Sequence, residues 1–275
     1  MDGSGEENCT TVWKCKNDKI KKIDEFNIPN SLGWYYSAFT EFLGFKAYDG
    51  EYKLMGLAAF GKENLKLRKK IKNILKFDIK TARYELNPYF IHYGSHSYSG
   101  RFTDNLVKLL GLPKKPKDKF TKFHKDLAFE VQRLLEECVL MLCKKYFKIT
   151  GIRNICLGGG VGLNVKLNSK IFNQKFVNRI FPNPLCPDNG ASVGAALLAD
   201  IKLNKSKVKP LKSLSLGPDY KDQYIKKLLI ENKIKFQTPK NIHSYTAKLL
   251  AQKKVVGWFQ GRMEAGPRAL GNRSI

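Results

Sequence analysis

A run of three glycines between a predicted strand and a predicted helix limits the fold of this chain more than any other feature. Residues 152–157 are mostly apolar and predict a short strand. The glycines are residues 158–160, and a short helix is predicted from Leu163. Strand, turn and helix alternate again at residues 176–200. This alternation predicts an α/β fold in which at least part of the sheet is parallel.

A helix at residues 123–147 is the clearest single element, because its apolar side chains recur every three or four residues and so share one face. The other elements are predicted from shorter patterns: strands at 10–15, 20–26 and 255–259, and helices at 32–45 (with Ser31 as N-cap), 65–75, 191–200, 220–232 and 244–253. Residues 201–212 are rich in lysine and have the composition of a linker. We therefore predict two domains, residues 1–205 and 206–275.

The composition is that of a globular protein. Of the 275 residues, 43% are hydrophobic and 12% aromatic, which excludes a disordered chain. No apolar run approaches the ~18 residues of a membrane span, and the N-terminus has no secretory signal. The six cysteines are too sparse for a disulfide framework and include no Cys-x-x-Cys pair. We expect a reducing, cytoplasmic location and no membrane partner.

The formal charge of +26 would attract nucleic acid or phosphorylated ligands. The excess is mostly lysine, however, and it is scattered through almost every segment together with many Ile and Asn residues. Solvated lysine faces therefore explain the charge better than a dedicated nucleic-acid surface does, and a nucleic-acid partner is disfavoured.

Two segments have the composition of anion-binding turns. The first is the glycine turn, residues 158–160, whose backbone could approach an anion closely. It is not a P-loop, because no Gly-Lys-Ser/Thr follows, and a purely structural turn is the alternative. The second is the N-terminal segment with Asp2 and Gly3, which is a weak pattern by itself. Asp188, before the helix at 191–200, is either its N-cap or a ligand of a metal or phosphate.

A third candidate binding segment is residues 50–58, which contains an acid, Glu51, and a base, Lys53. Glu51 could accept hydrogen bonds from ribose hydroxyls and Lys53 could face a phosphate, whereas a salt-bridged helix start is the alternative.

The densest motif is residues 257–275, where Arg262, Arg268 and Arg273 fall among glycines after a strand. The planar fork of arginine suits phosphate and carboxylate groups, so these arginines predict an anion site.

Histidine and cysteine chemistry is not predicted. His92 and His96 lie in a loop rich in Gly, Ser and Tyr, where metal geometry would not be preset. Cys138 and Cys143 lie on the long predicted helix and are interpreted as core residues.

These motifs, in this order, resemble those of the NodU/CmcH-type carbamoyltransferase family, whose members make O-carbamoylated sugars and antibiotics. The resemblance spans essentially the whole chain and is carried by residues 2–6, 31–39, 50–58, 157–164 and 257–275. The last of these segments matches the family's signature almost residue for residue.

The resemblance implies an incomplete ribonuclease-H-like, actin-like ATPase lobe, followed by the truncated start of a YrdC-like α/β domain. In the family, the first domain makes carbamoyl-adenylate from carbamoyl phosphate and ATP. The second domain passes the carbamoyl group to an acceptor hydroxyl. ATP, a divalent metal ion (Fe or Mg), carbamoyl phosphate and a hydroxyl acceptor are therefore the implied cofactors and substrates.

The resemblance also assigns roles residue by residue. It assigns the adenosine contacts to Gly158, Gly159, Gly160 and Asn164. It assigns a phosphate loop to Asp2 and Gly3 and a metal ligand near the phosphates to Asp188. It assigns the binding of carbamoyl phosphate or carbamoyl-adenylate to Arg262, Arg268 and Arg273.

The chain departs from the family's pattern at both ends. The resemblance implies that the family's N-terminal half-domain, which carries a first phosphate loop and a metal-binding histidine pair, has no counterpart here, and we expect most of the YrdC-like domain to be missing after Ile275. Gly162 stands where the family has Ala, and Ala265 where an aromatic residue is common. We therefore expect little or no turnover from this polypeptide alone, and activity on mixing with a second chain that supplies the missing lobe.

Two other classes remain open. A related actin-like ATPase that acts in tRNA threonylcarbamoylation would not continue into the arginine-rich motif. A non-catalytic basic remnant that binds nucleic acid would be expected to carry a stripe of interleaved aromatic and basic residues, and the sequence has none.

Overall fold

The computed structural model describes residues 1–16, 19–186, 188–207, 211 and 213–275. The chain divides into two compact units, Met1–Pro187 and Asp188–Ile275, and both contain helices and strands. The predicted mixed α/β class is therefore confirmed. The predicted domain boundary between residues 205 and 206 stays a prediction.

The first unit contains six strands and six α-helices among its described residues, in the following order: β1 (Asn8–Lys16), β2 (Lys19–Asn27), α1 (Leu32–Phe42), α2 (Glu51–Leu57), α3 (Leu65–Ile71), β3 (Leu75–Asp78), β4 (Arg83–Leu86), α4 (Asp104–Leu110), α5 (Lys122–Thr150), β5 (Asn154–Leu157), α6 (Val165–Phe172) and β6 (Arg179–Pro182). Strands β1 and β2 pair antiparallel, as do β3 and β4. Strands β5 and β6 pair parallel, with α6 as their crossover, so the predicted parallel pairing is confirmed.

Helix α5 is the centre of the core. It starts at a capping box, in which Thr121 accepts the N–H of His124 and His124 accepts the N–H of Thr121, and it ends at Gly151 in the left-handed conformation. The middle of its apolar stripe, including Leu127 and Val131, is fully buried. The prediction of this helix from its periodicity is confirmed.

Helix α1 packs against α5 and is buried along most of its length. Ser31 caps it, as predicted, by accepting the N–H of Trp34. Tyr35 and Phe39 are fully buried, and the Tyr35 hydroxyl donates to the main-chain oxygen of Val131 over 3.2 Å. This contact fixes the first turn of α1 relative to the middle of α5.

The predicted helix at residues 65–75 is wrong at its C-terminal end. Helix α3 stops at Ile71, and Leu75 begins a hairpin that the sequence patterns did not predict. In β4, Tyr84 and Leu86 are buried while Arg83 and Glu85 are exposed, which is the two-residue period of a strand. Four-residue strands give too short a pattern to stand out beside a helical stretch.

The second unit contains α7 (Asn189–Asn204), α8 (Asp222–Glu231), α9 (Ile242–Ala251), β7 (Trp258–Phe259) and β8 (Arg273–Ser274). The strand predicted at residues 255–259 is shorter than expected, since only its last two residues pair, antiparallel with β8. The predicted linker at 201–212 begins inside α7, and its residues 208–210 and 212 lie outside the described residues. Within the described ranges, no helix combines the length and apolarity that a membrane span requires.

Candidate functional site

The N-terminal segment lies directly against the glycine turn. The N–H of Val161 donates to the main-chain oxygen of Met1 over 3.3 Å. A β-carbon at Gly159 would stand 2.1 Å from that oxygen, and one at Gly160 would stand 3.0 Å from Oδ1 of Asp2. Gly159 also has a φ of 82°, in the region that favours glycine. The turn therefore depends on glycine for its approach to the N-terminal segment.

Asp2 and Gly3 are held from a second direction by the first turn of α1. The main-chain oxygen of Asp2 accepts hydrogen bonds from Oγ of Ser31 (3.0 Å) and from the N–H of Gly33 (3.2 Å). The carboxylate of Asp2 accepts the N–H of Gly3 at 2.8 Å. Two motifs that sequence patterns identified separately thus form one assembly of tight backbone contacts.

Asn164, which follows the glycine turn, belongs to a buried polar network. Its Oδ1 caps α6 by accepting the N–H of Leu167 (3.0 Å). Asn164 and Gln132 exchange two amide hydrogen bonds, 2.9 and 3.0 Å long. Gln132 also accepts the Tyr36 hydroxyl (2.7 Å) and donates to Glu136 (2.7 Å). All these contacts of Asn164 are structural, and its predicted contact with adenosine stays a prediction.

Sequence reasoning missed Tyr36, Gln132 and Glu136. Burial raises the pKa of the Tyr36 hydroxyl well above its usual value, and the charges of Glu136 and Glu51 add to that effect. The signal that could have found the network is a pair of polar residues one turn apart beside the apolar stripe of a buried helix, because such residues need partners.

Glu51 and Lys53 lie in the first turn of α2. Oε1 of Glu51 accepts the N–H of Tyr48 over 2.7 Å, and Tyr48 has an unusual φ of 67°. Lys53 is exposed, with its Nζ 5.6 Å from the centre of the Tyr52 ring. Glu51 thus stabilises the loop before α2, and the ribose and phosphate contacts of the two residues stay predictions.

Acidic side chains of α5 anchor the segment that follows α2. Oδ1 of Asp126 accepts the N–H of Lys62 (3.0 Å), and Oε1 of Glu130 accepts the N–H of Asn64 (2.7 Å). The other oxygen of Glu130, which is fully buried, lies 3.2 Å from Nη1 of Arg68. These bonds give the buried carboxylates of Asp126 and Glu130 their partners, and they fix the path of the chain after α2.

The three predicted arginines lie in one segment of the second unit, residues 262–273, which ends at the first residue of β8 and which we call the arginine loop. Nε of Arg262 donates to the main-chain oxygen of Gly217 over 2.7 Å. Nη2 of Arg273 donates to the main-chain oxygen of Gly266 (2.6 Å) and lies 3.4 Å from that of Arg268. The structure brings these arginines into one loop, and their contact with carbamoyl phosphate stays a prediction.

Glu264 is a buried acid within the arginine loop that sequence reasoning did not single out. Its Oε1 accepts two backbone N–H groups, from Leu270 (3.0 Å) and Asn272 (2.6 Å). Its Oε2 lies 3.6 Å from Nε of Arg273. The sequence signal that could have identified Glu264 is a single acid among arginines and glycines, because such an acid is surrounded by hydrogen-bond donors.

Asp188 immediately precedes α7 in the second unit. It occupies the N-cap position, as one of the two predicted interpretations has it, but its side chain makes no capping hydrogen bond, and its main-chain oxygen accepts the N–H of Ala191 (2.9 Å). In the part of the chain that the structure describes, no three His, Cys, Asp or Glu side chains converge on a metal-sized site. A metal contact of Asp188 stays a prediction.

Cysteines on α5 are core residues, as predicted. Cys138 is fully buried, and burial raises the pKa of its thiol far above the usual range. Burial also raises the pKa of Cys143 to about 12. Neither thiol ionises near neutral pH, which argues against a nucleophilic role.

Two family models match the chain. One, described as carbamoyltransferase N-terminus, matches residues 1–197, and the other, described as carbamoyltransferase C-terminus, matches residues 247–275. The first match contains the glycine turn, its N-terminal partner segment and the buried network. The second contains the arginine loop.

Several relatives match the chain from end to end. They include nodulation protein NolNO of Sinorhizobium fredii (32% identical, 100% of this chain and 39% of the relative) and nodulation protein NolO of Bradyrhizobium diazoefficiens (31%, 100% and 48%). An uncharacterized protein of Synechocystis, sll1178, is 34% identical over 100% of this chain and 46% of its own length. The chain thus spans about half the length, or less, of these relatives.

Proposed function

Because the chain belongs to the carbamoyltransferase family, we propose that it is part of an O-carbamoyltransferase that uses ATP and carbamoyl phosphate to form carbamoyl-adenylate. The carbamoyl group then passes to a hydroxyl of an acceptor in the biosynthesis of a carbamoylated sugar or secondary metabolite. In this proposal, residues 1–205 are an actin-like ATPase lobe and residues 206–275 begin a YrdC-like transfer domain.

The packing of the Asp2–Gly3 segment against the glycine turn carries the proposal for ATP. A β-carbon at Gly159 would stand 2.1 Å from the main-chain oxygen of Met1, and the first turn of α1 bonds to Asp2 through the N–H of Gly33. At Gly158, by contrast, a β-carbon would meet no atom within 4 Å, so this residue borders open space. Glycine backbone beside open space, close to a helix N-terminus, is the setting in which proteins bind phosphates.

The arginine loop is the proposed binding site for carbamoyl phosphate. Arg262, Arg268 and Arg273 would neutralise charge on the phosphate, and their fork geometry allows two parallel hydrogen bonds to one anion. Fixed cations stabilise the charge that develops during phosphoryl and acyl transfer.

The described residues offer no complete site for the implied metal ion. The carboxylate of Asp188 is a suitable oxygen ligand for Mg or Fe. One carboxylate is insufficient, however, and no group of three candidate ligands exists among the described residues.

Calorimetric titration of the 275-residue chain with ATP and, separately, with carbamoyl phosphate tests the proposal. We expect the chain to bind both compounds and the variant Arg268→Gln to bind carbamoyl phosphate about tenfold more weakly, as for a lost charge-assisted contact. ATP affinity should be unchanged in that variant.

The same chain should also be titrated with RNA and with DNA, to test the alternative functions. Steep salt-dependent binding of RNA or DNA, with no affinity for ATP or carbamoyl phosphate, would overturn the proposal in favour of a basic nucleic-acid-binding protein. Binding of ATP without carbamoyl phosphate, with affinity for tRNA, would favour the tRNA-modifying class.

A further inference from the structure

We propose that Glu264 is the positioning residue of the arginine loop, holding Arg273 and the turn that carries Arg268 in the geometry that receives a phosphate. This inference rests on the proposed function for the identity of the ligand. The positioning itself rests on the internal contacts of the loop.

Glu264 acts inside the loop as a bound anion would. Its side chain is buried. One of its oxygens accepts hydrogen bonds from the N–H groups of Leu270 and Asn272, which are six and eight residues further along the chain. Backbone N–H groups that converge on one oxygen form an anion-binding concavity. Because the carboxylate closes this concavity, the conformation of residues 264–272 is tied to one side chain.

The second oxygen of Glu264 connects the concavity to Arg273. Oε2 is buried and has no hydrogen-bond partner in the described part of the chain, but Nε of Arg273 lies 3.6 Å away. A buried acceptor without a hydrogen bond is destabilising, so the nearby guanidinium provides its electrostatic compensation. The same guanidinium donates to the main-chain oxygen of Gly266. Glu264 therefore sets the direction of Arg273, and Arg273 in turn holds the turn before Arg268.

The state of the carboxyl group agrees with this role. Burial alone would raise the pKa of Glu264, but hydrogen bonds from the N–H groups of Asn272 and Leu270 and the charge of Arg273 lower it overall. The group is therefore ionised throughout the neutral range, when Arg273 requires a counter-charge.

The variant Glu264→Gln separates positioning from a simple charge effect. Glutamine keeps an acceptor oxygen for Leu270 and Asn272 but removes the charge that faces Arg273. If Glu264 influenced the ligand only through its charge, removing a negative charge near an anion site would tighten binding. If Glu264 positions the arginines, the same change weakens binding, because misplaced groups lose much of their effect.

Carbamoyl phosphate binding and NMR spectra of the whole chain are the measurements. We expect Glu264→Gln to weaken carbamoyl phosphate binding about tenfold and to broaden the Nε–H signal of Arg273. The amide protons of residues 270 and 272 should stay protected in Glu264→Gln and lose protection in Glu264→Ala. The control is Glu231→Gln, because Glu231 is a surface acid of α8 that pairs with Lys227, and it should change none of these values.

The outcomes separate the positioning role of Glu264 from the identity of the ligand. Equal or tighter binding by Glu264→Gln, with an unchanged Arg273 signal, overturns the positioning role. If the unaltered chain binds no carbamoyl phosphate, the proposed ligand is wrong, and the NMR signals measured without ligand still decide whether Glu264 positions Arg273. Should Glu264→Ala fail to fold, Glu264→Gln alone decides the question.

Discussion

The main-chain oxygen of Asp2 accepts the N–H of Gly33 over 3.2 Å, and a β-carbon at Gly33 would come within 2.5 Å of the backbone nitrogen of Gly3. The N-terminal segment can occupy its place beside α1 only because residue 33 has no side chain. On its other side, the same segment contacts the glycine turn. These contacts make glycine substitutions the most direct test of the candidate site.

Replacing Gly33 by alanine should displace the Asp2–Gly3 segment. The added methyl group collides with backbone atoms, which cannot rotate away as a side chain can, so we expect a loss of about 1–3 kcal/mol in the free energy of unfolding. ATP affinity, measured by calorimetry, should fall as well. Gly56→Ala is the matched control, because Gly56 lies in α2 with no atom near its added β-carbon. An unaffected Gly33→Ala variant would contradict the observed packing.

Alanine at Gly158 and alanine at Gly159 should have different effects. At Gly159 the methyl group meets the main-chain oxygen of Met1 and the φ of 82° is strained, so both urea stability and ATP binding should decrease. At Gly158 the methyl group enters open space, so stability should stay the same while ATP binding weakens. Full ATP affinity of Gly158→Ala would show that the nucleotide does not approach this face of the turn.

Asn164→Ala should destabilise the protein by roughly 2–4 kcal/mol. The variant removes the cap of α6, worth about 1 kcal/mol, and two of the four hydrogen bonds of the buried Gln132 amide. Asn173→Ala, at the exposed C-terminal end of the same helix, is the control and should cost far less. Urea unfolding of both variants measures the difference, and similar values for the two would contradict the structural role of Asn164.

Asp24 should make stability depend on pH in the acid range. Burial by itself would raise its pKa, but hydrogen bonds from Tyr146 and Arg83 lower it to about 2. A carboxyl group with a lowered pKa contributes stability above its unfolded value, near 3.9, and loses that contribution as the pH falls through about 2. Asp24 is partly exposed, so we expect Asp24→Asn to cost only about 1–2 kcal/mol at pH 6.

The same variant should cost less near pH 2, where the carboxyl group of the unaltered protein is itself about half protonated. Urea unfolding at the two pH values measures this. A cost that does not change with pH would show that Asp24 does not act through its charge, and Glu231→Gln is a surface-acid control.

Several elements could be predicted from the sequence because their signals are local. The period of α5, the Ser31 cap and the alternation around residues 158–160 depend on neighbouring residues only, and the structure confirms them. The hairpin of β3 and β4 was missed, because four-residue strands leave too little pattern. Glu264 and Gln132 were missed for a different reason, since their importance comes from partners that only folding brings near.

By itself, the sequence determined the mixed α/β class, most of the helices, and the motifs that place the chain in the carbamoyltransferase family. Only the tertiary structure decided that Gly33 lies against Asp2 and Gly3, that Gly159 lies against Met1, and that Asn164 bonds to Gln132. The reason is physical. Periodicity and capping depend on the backbone geometry of adjacent residues, whereas close backbone approach and buried hydrogen bonds depend on how distant elements pack around α5.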